Sequence, residues 1–172
     1  MRFSLALILA LAGPAAAQTG QPFDAIRSTL LALDIRECAE LARTLERGSL
    51  ETDDQRTLNQ LGNSIAHFCQ ANRMSEQLSA MGYRSTSDEL PQKKRALGAG
   101  SLSANGIEPL DPAAPDQVSD TLLSQLTAIN ENRISFLQGG DVFLNFALQS
   151  DPDAANDLLR RLLGKDPLEA RN

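Results

Sequence analysis

Two cysteines, Cys38 and Cys69, are the residues of this chain whose chemistry is most readily assigned. The sequence contains two cysteines in all, and each lies in a run with helical apolar spacing. In an oxidising compartment such a pair forms a disulfide bond between two helices. Closing a loop of about thirty residues stabilises a fold by roughly 3 to 4 kcal/mol in the chain-entropy model. We therefore predict a structural disulfide between Cys38 and Cys69.

The single histidine, His67, is the next residue that could carry chemistry. A catalytic triad would have to use it, but no serine lies in a G-x-S-x-G nucleophile motif. A zinc site would need a third and a fourth ligand besides His67 and the two cysteines, and export favours a disulfide over thiolate ligands. We interpret His67 as a surface or partly buried structural residue and predict no metal and no other cofactor.

Paired carboxylates are a third source of chemistry, because glycan hydrolysis needs two of them. The closest pairs in the sequence are Glu37 with Glu40 and Asp53 with Asp54. Both pairs lie where ordinary helix-surface or first-turn charges are expected. We therefore predict that the protein is not an enzyme. The alternative is a small envelope enzyme that acts on peptidoglycan with a carboxylate acid.

The N-terminal segment has the features of a secretory signal. Arg2 precedes an apolar run over residues 3–12, and small residues follow over 13–17. The run is shorter than the roughly twenty residues needed to span a bilayer. We predict a signal peptide over residues 1–17, cleaved after Ala17, a periplasmic or secreted location, and no transmembrane segment after cleavage.

The composition limits the classes of partner. The formal net charge is −6, and removal of Arg2 with the signal peptide would make it −7. An acidic surface repels nucleic acid and anionic lipid. Aromatic residues make up 4% of the chain and tryptophan is absent, which argues against stacking platforms for bases. The bias toward arginine and alanine is typical of a bacterial protein.

The sequence of residues 18–82 predicts a disulfide-linked antiparallel helical hairpin. The first arm has two interpretations. We favour one helix with a kink, ending at Gly48. Alternatively, a second helix begins at Asp34, because Asp34 and Glu37 have capping-box spacing. The apolar face of the arm consists of Leu31, Ile35, Cys38, Ala42 and Leu45.

The second arm begins with a capping box of Thr52 and Gln55 and ends at Gly82. The short connection between the arms predicts an antiparallel pair. In a straight symmetric hairpin the two cysteines would be offset by roughly 10 Å, whereas a disulfide needs Cα atoms within about 7 Å. A bond between them would therefore contradict a straight hairpin.

Residues 83–117 are rich in serine, glycine and proline and predict a long irregular linker. Residues 118–172 predict a C-terminal block of two to three short helices. We expect Gly139 and Gly140 to end the first of these, and Asp141 to cap a very apolar segment over 142–148, for which a strand is the competing interpretation. The last helix should begin after Ser150 or Asp151 and end at Gly164.

The overall prediction is an all-α exported protein with a signal peptide (1–17), a hairpin (18–82), a linker (83–117) and a helical block (118–172). The functional hypothesis is a non-catalytic protein that binds other envelope proteins as a chaperone, an inhibitor or an accessory subunit. Its candidate partner-binding residues are Val142, Phe143 and Phe146 in the apolar segment, provided that the segment is not wholly core.

Overall fold

The computed structural model describes residues 20–46, 55–90 and 100–164. The helices are α1 (Gly20–Leu31), α2 (Ile35–Glu46), α3 (Gln55–Ala80), α4 (Asp120–Ser150) and α5 (Pro152–Leu163), and the strands are β1 (Tyr83–Ser85) and β2 (Ile107–Pro109). The prediction of a mostly helical fold is confirmed. In these described ranges no helix is both long enough and apolar enough to cross a membrane. The predicted signal peptide, Gly48, Thr52 and the Asp53–Asp54 pair lie outside the described residues.

The first arm consists of two helices, so the continuous helix that we favoured from the sequence is wrong. The backbone N–H of Asp34 donates to the Glu37 carboxylate at 2.9 Å. The N–H of Glu37 donates back to the Asp34 carboxylate at 2.7 Å. This reciprocal capping box starts α2 and satisfies two backbone donors that a helix start otherwise leaves unpaired.

A buried asparagine on α3 stabilises the break between α1 and α2. The Asn72 amide nitrogen donates to the carbonyl oxygens of Leu30, at 3.0 Å, and Leu33, at 2.9 Å. A helix end leaves such carbonyls without intrahelical partners. The Asn72 side chain therefore compensates for the backbone hydrogen bonds that a continuous helix would have made.

The predicted disulfide is confirmed, with the Cα atoms of Cys38 and Cys69 5.7 Å apart. Cys38 lies in the first turn of α2, directly after the break. The break allows α2 to take a direction independent of α1. The straight symmetric hairpin is therefore wrong.

The C-terminal block also differs from the prediction, because α4 is one helix of 31 residues that runs through Gly139 and Gly140. Asp141 therefore starts no helix. The block consists of this long helix and the 12-residue α5, instead of two to three short helices. Of the two candidate caps for α5, Asp151 is the one used, since its carboxylate accepts from the N–H of Ala154 at 3.0 Å.

The chain between α3 and α4 contains a small sheet, so an irregular linker is not confirmed. Strands β1 and β2 pair antiparallel, with Arg84 opposite Glu108. Leu102 and Ile107, the first residue of β2, are fully buried. On α4, the buried Asn130 amide donates to the carbonyl oxygens of Asn105 and Gly106.

The hydrophobic core contains residues from all five helices. Buried side chains from α1 and α2 pack in one cluster with Leu61 and Phe68 of α3, Leu137 and Leu144 of α4, and Leu158 of α5. A smaller cluster contains Leu78 of α3, Leu102, Ile107 of β2 and Leu126 of α4. The two helical blocks predicted from the sequence thus share one core.

Candidate functional site

Helices α3 and α4 approach each other closely at Gly139 and Gly140. A Cβ atom at Gly139 would overlap the imidazole of His67, and one at Gly140 would lie 3.0 Å from the ring of Phe68. The hydroxyl of Ser64 donates to the carbonyl of Gly140 at 3.0 Å. Glycine inside a helix costs roughly 0.5 to 1 kcal/mol relative to alanine. Here the packing of α3 against the two glycines offsets that cost, and the helix continues.

His67 is half-buried beside this contact. Its Nδ1 donates to the carbonyl oxygen of Asn63 at 2.8 Å. Because a carbonyl can only accept, Nδ1 carries a proton in this contact. The ring centroid is 5.1 Å from that of Phe143 and 5.9 Å from that of Phe136, which it meets edge-on. The imidazole therefore joins α3 to two aromatic side chains of α4.

The apolar segment 142–148 is helical and is divided between core and surface. Leu144 and Ala147 are fully buried, whereas Val142 is 52% exposed and Phe146 is 53% exposed. The strand interpretation is wrong, since the whole segment belongs to α4. Of the three predicted partner-binding residues, Val142 and Phe146 face outward and Phe143 is half-buried against His67.

Charged residues are missing from the sequence around these side chains. Residues 57–72 of α3 contain no Asp, Glu, Lys or Arg, and residues 134–150 of α4 contain one, Asp141. Asp141 lies about 140° around the helix from Phe146, and its carboxylate pairs with Arg27 at 2.6 Å. We call the resulting area the charge-free surface. It comprises Asn63, His67, Phe136, Gly139, Val142, Phe143 and Phe146.

The polar side chains at the edge of the charge-free surface are amides and hydroxyls. They are Asn59 and Gln70 on α3, and Asn132, Ser135, Gln138, Asn145 and Gln149 on α4, all exposed. Such a surface offers no carboxylate and no cysteine thiol for a reaction. Aromatic enrichment with depletion of charge is typical of the centre of protein interfaces.

A cluster of charged residues occupies the other side of α4. Arg133 donates from Nε to Ser75 at 3.0 Å, and from Nη1 to Ser85 at 3.1 Å. Its Nη2 donates to the carboxylate of Asp88 at 2.7 Å, and Arg27 reaches the same carboxylate at 3.2 Å. We call Arg27, Asp88 and Arg133 the arginine clamp. It ties the chain after β1 to α1, α3 and α4.

The arginine clamp shifts the pKa values of Asp88 and Arg27. Burial raises the pKa of Asp88, but hydrogen bonds and charge from Arg133 and then Arg27 outweigh burial and hold that pKa below its ordinary value. Burial likewise opposes the charged form of Arg27, yet Asp141 and Asp88 together raise its pKa. The folded state therefore keeps Asp88 and Arg27 charged at neutral pH.

The predicted carboxylate pair Glu37 and Glu40 lies in a groove of about 220 Å³ between α2 and α5, beside Leu162 and Leu163. Both glutamates are exposed. Glu37 caps α2 through the N–H of Asp34, a structural role that accounts for its position.

A second groove, of about 340 Å³, lies over the disulfide and is lined by small and apolar side chains such as Ala42 and Ala66. The cysteine sulfurs are bonded to each other and are not metal ligands. Within the part of the chain that the structure describes, no group of three or more His, Cys, Asp or Glu side chains is placed to hold a metal ion.

Sequence reasoning did not identify the arginine clamp or the capping role of Asn72. The sequence contained a slight signal for the arginine clamp, because Arg133 interrupts the apolar stripe of α4. Such an interruption does not indicate which residue pairs with the charge. Asp88 comes from a serine-rich stretch with no helical period. The pairing depends on tertiary contacts alone.

No protein-family model, no curated protein and no solved structure matches this chain. The functional argument therefore depends on its own residues.

Proposed function

We propose that this is a non-catalytic exported protein that binds other proteins of the cell envelope through the charge-free surface. The observation that carries the proposal is the exposure of Val142 and Phe146, about half of each side chain, on an area without charge. Full burial of one such side chain contributes about 1.5 to 3 kcal/mol. The part still exposed is thus available to a partner.

The arrangement of the aromatic side chains supports a binding role for the surface. Phe143 and Phe136 are held by His67, so the aromatic rings lose little conformational freedom when a partner arrives. Preorganised aromatic residues surrounded by polar side chains are typical of interface hot spots. Val142 and Phe146, each about half exposed, would lie in the same contact.

An exported location is part of the proposal. The disulfide between Cys38 and Cys69 supports it, because such bonds persist in the periplasm and outside the cell and are rare in the cytosol. The signal-like N-terminal segment supports it independently. A periplasmic or secreted protein of this kind could be a chaperone, an inhibitor or an accessory subunit.

Affinity capture from an envelope extract tests the proposal with a matched pair of variants. Phe146→Asp places a charge in the charge-free surface, whereas Leu110→Asp changes a comparably exposed apolar residue, 48% exposed, next to β2. We expect wild type and Leu110→Asp to retain the same proteins and Phe146→Asp to lose them. Equal capture by all three would contradict binding through this surface.

The alternative, an envelope enzyme acting on peptidoglycan, has one observation in its favour: Glu37 and Glu40 line the same groove. Glu40→Gln removes a carboxylate that takes no part in the capping box of α2. Loss of peptidoglycan cleavage in this variant would support the enzyme. Equal inactivity of wild type and variant would reject it.

A further inference from the structure

We infer that the occupant of the charge-free surface, in the absence of another partner, is a second copy of this chain, paired across a two-fold axis. This inference rests on the proposed function, since it names a partner for the same surface. Three properties of the surface favour a second copy: the chemistry of its polar groups, its lack of charge, and its size.

The polar groups of the surface are self-complementary. Two-fold pairing brings a surface against itself: residue i meets residue j of the other copy while j meets i, and side chains near the axis meet their own equivalents. Two lysines or two glutamates in that position repel. Asn and Gln side chains instead carry both a donor and an acceptor. The exposed Gln138, Asn145 and Gln149 on α4 and Asn63 on α3 therefore suit a copy of themselves.

The charge of the whole protein points the same way. With a formal net charge of −6, two copies repel each other over most of their surfaces. Residues 57–72 contain no charged residue, and Asp141 forms an ion pair with Arg27. Like-charge contacts between two copies are therefore few at this surface. Two acidic copies would therefore approach most easily here.

The size of the surface suits a small, reversible interface. Residues 132–150 of α4 extend about 28 Å at 1.5 Å per residue. Together with the neighbouring face of α3 the width is about 20 Å, since packed helices lie roughly 8 to 10 Å apart. The flat projection is thus roughly 560 Å², about 70% of the roughly 800 Å² of accessible area per partner in a standard interface, which is the size of a weak, transient contact. We expect a dissociation constant in the micromolar range.

We place the axis across the middle of this stretch of α4. Val142 lies near the centre of 132–150 and is 52% exposed. In an antiparallel pair of α4 helices, Val142 of one copy would therefore lie close to Val142 of the other. Phe146 of each copy would lie about one turn from the axis.

Sedimentation velocity across the micromolar range tests whether the dimer forms. We expect the mature wild-type chain and Leu110→Asp to associate reversibly into dimers, and Phe146→Asp to remain monomeric. A circular dichroism melt of each variant confirms that it is folded. Monomeric wild-type protein at the highest concentration would overturn the inference.

Cysteine cross-linking tests where the axis lies. The two native cysteines are bonded to each other and are the only cysteines in the sequence, so a substituted cysteine supplies the one free thiol. We expect Val142→Cys to form a disulfide-linked dimer under mild oxidation, and the exposed Ser124→Cys, on the same helix but outside the surface, to form little. Equal cross-linking of both variants would overturn pairing through this surface.

The outcomes separate this inference from the proposed function. Wild-type protein that is monomeric but captures envelope proteins through Phe146 would overturn the dimer and keep the proposed function. A dimer that is lost in Phe146→Asp, with no envelope protein captured by any variant, would keep the dimer and remove the binding of other proteins.

Discussion

Helix α4 has two faces that use side chains in opposite ways. On one, Arg133 makes hydrogen bonds with Ser75, Ser85 and Asp88 and is 14% exposed. On the other, Val142 and Phe146 are more than half exposed, and Asp141, the charged residue next to Val142, pairs with Arg27. On the first face, the charge of Arg133 is paired by other residues of the same chain. The second leaves apolar area uncovered.

The contrast indicates that the two faces serve different purposes. Desolvating a guanidinium is costly unless its donors are paired. The pairing in the arginine clamp therefore serves the stability of the fold. Exposed aromatic side chains add little to folding but can contribute strongly to binding. Substitutions on the clamp face should therefore change stability, and substitutions on the charge-free surface should change association.

The largest effect on stability is expected from Arg133→Met, which keeps much of the side-chain volume and removes the charge. The variant leaves the Asp88 carboxylate with one arginine partner and removes charge-assisted hydrogen bonds, so the free energy of unfolding should fall by about 2 to 3 kcal/mol. Chemical denaturation measures this. A change no larger than that of an exposed-site substitution such as Gln138→Ala would show that the clamp does not stabilise the fold.

A slightly smaller loss of the free energy of unfolding is expected from Gly140→Val, where α4 packs against α3. The added side chain would meet the buried ring of Phe68, and overpacking of this kind costs about 1 to 3 kcal/mol. Gly62→Ala is the matched control, because its Cβ would meet Leu45 at 3.9 Å, an ordinary contact. That helical site should gain about 0.5 to 1 kcal/mol instead. Destabilisation by both variants to the same extent would contradict the close approach at Gly140.

The pH dependence of stability measures the contribution of Asp88 to the free energy of unfolding. Because its pKa is lower in the folded state than in the unfolded state, its contribution is present above the unfolded pKa and is lost as the pH falls through the folded pKa. The Asp88→Asn variant lacks this contribution. Its free energy of unfolding should therefore be lower than that of wild type at pH 7, and the two curves should converge between roughly pH 5 and pH 2. Parallel curves over that interval would contradict the paired state of Asp88.

The smallest effect on stability is expected from Phe146→Ser. Half of the side chain is already in water, and such surface substitutions change the free energy of unfolding by about 0.5 kcal/mol or less. Thermal unfolding of the variant should thus resemble that of wild type while association is lost. A loss comparable to that of Arg133→Met would mean that Phe146 belongs to the core.

Local patterns in the sequence were reliable where the interaction itself is local. The spacing of Asp34 and Glu37 correctly offered a helix start, and Gly164, with φ of 64°, ends α5 as predicted. The choice between one helix and two in the first arm depended on Asn72, which comes from another helix. No periodicity in the first arm reveals that contact.

The error at Gly139 and Gly140 has the same origin. Two adjacent glycines favour a helix end when only the backbone is considered. The ring of Phe68 and the imidazole of His67, both on α3, use the space that the missing side chains leave. By contrast, the excess of apolar residues over 142–148 was visible in the sequence, and it correctly raised the question of which of them remain outside the core.

Site-specific photo-cross-linking in living cells tests the central claim most directly. A benzophenone amino acid replaces Phe146 on the charge-free surface in one strain and Ser124, exposed on the same helix, in another. Binding through the charge-free surface predicts protein adducts at position 146, including one of twice the chain mass, and few at position 124. Absence of adducts at 146, or equal yields at the two positions, would contradict it.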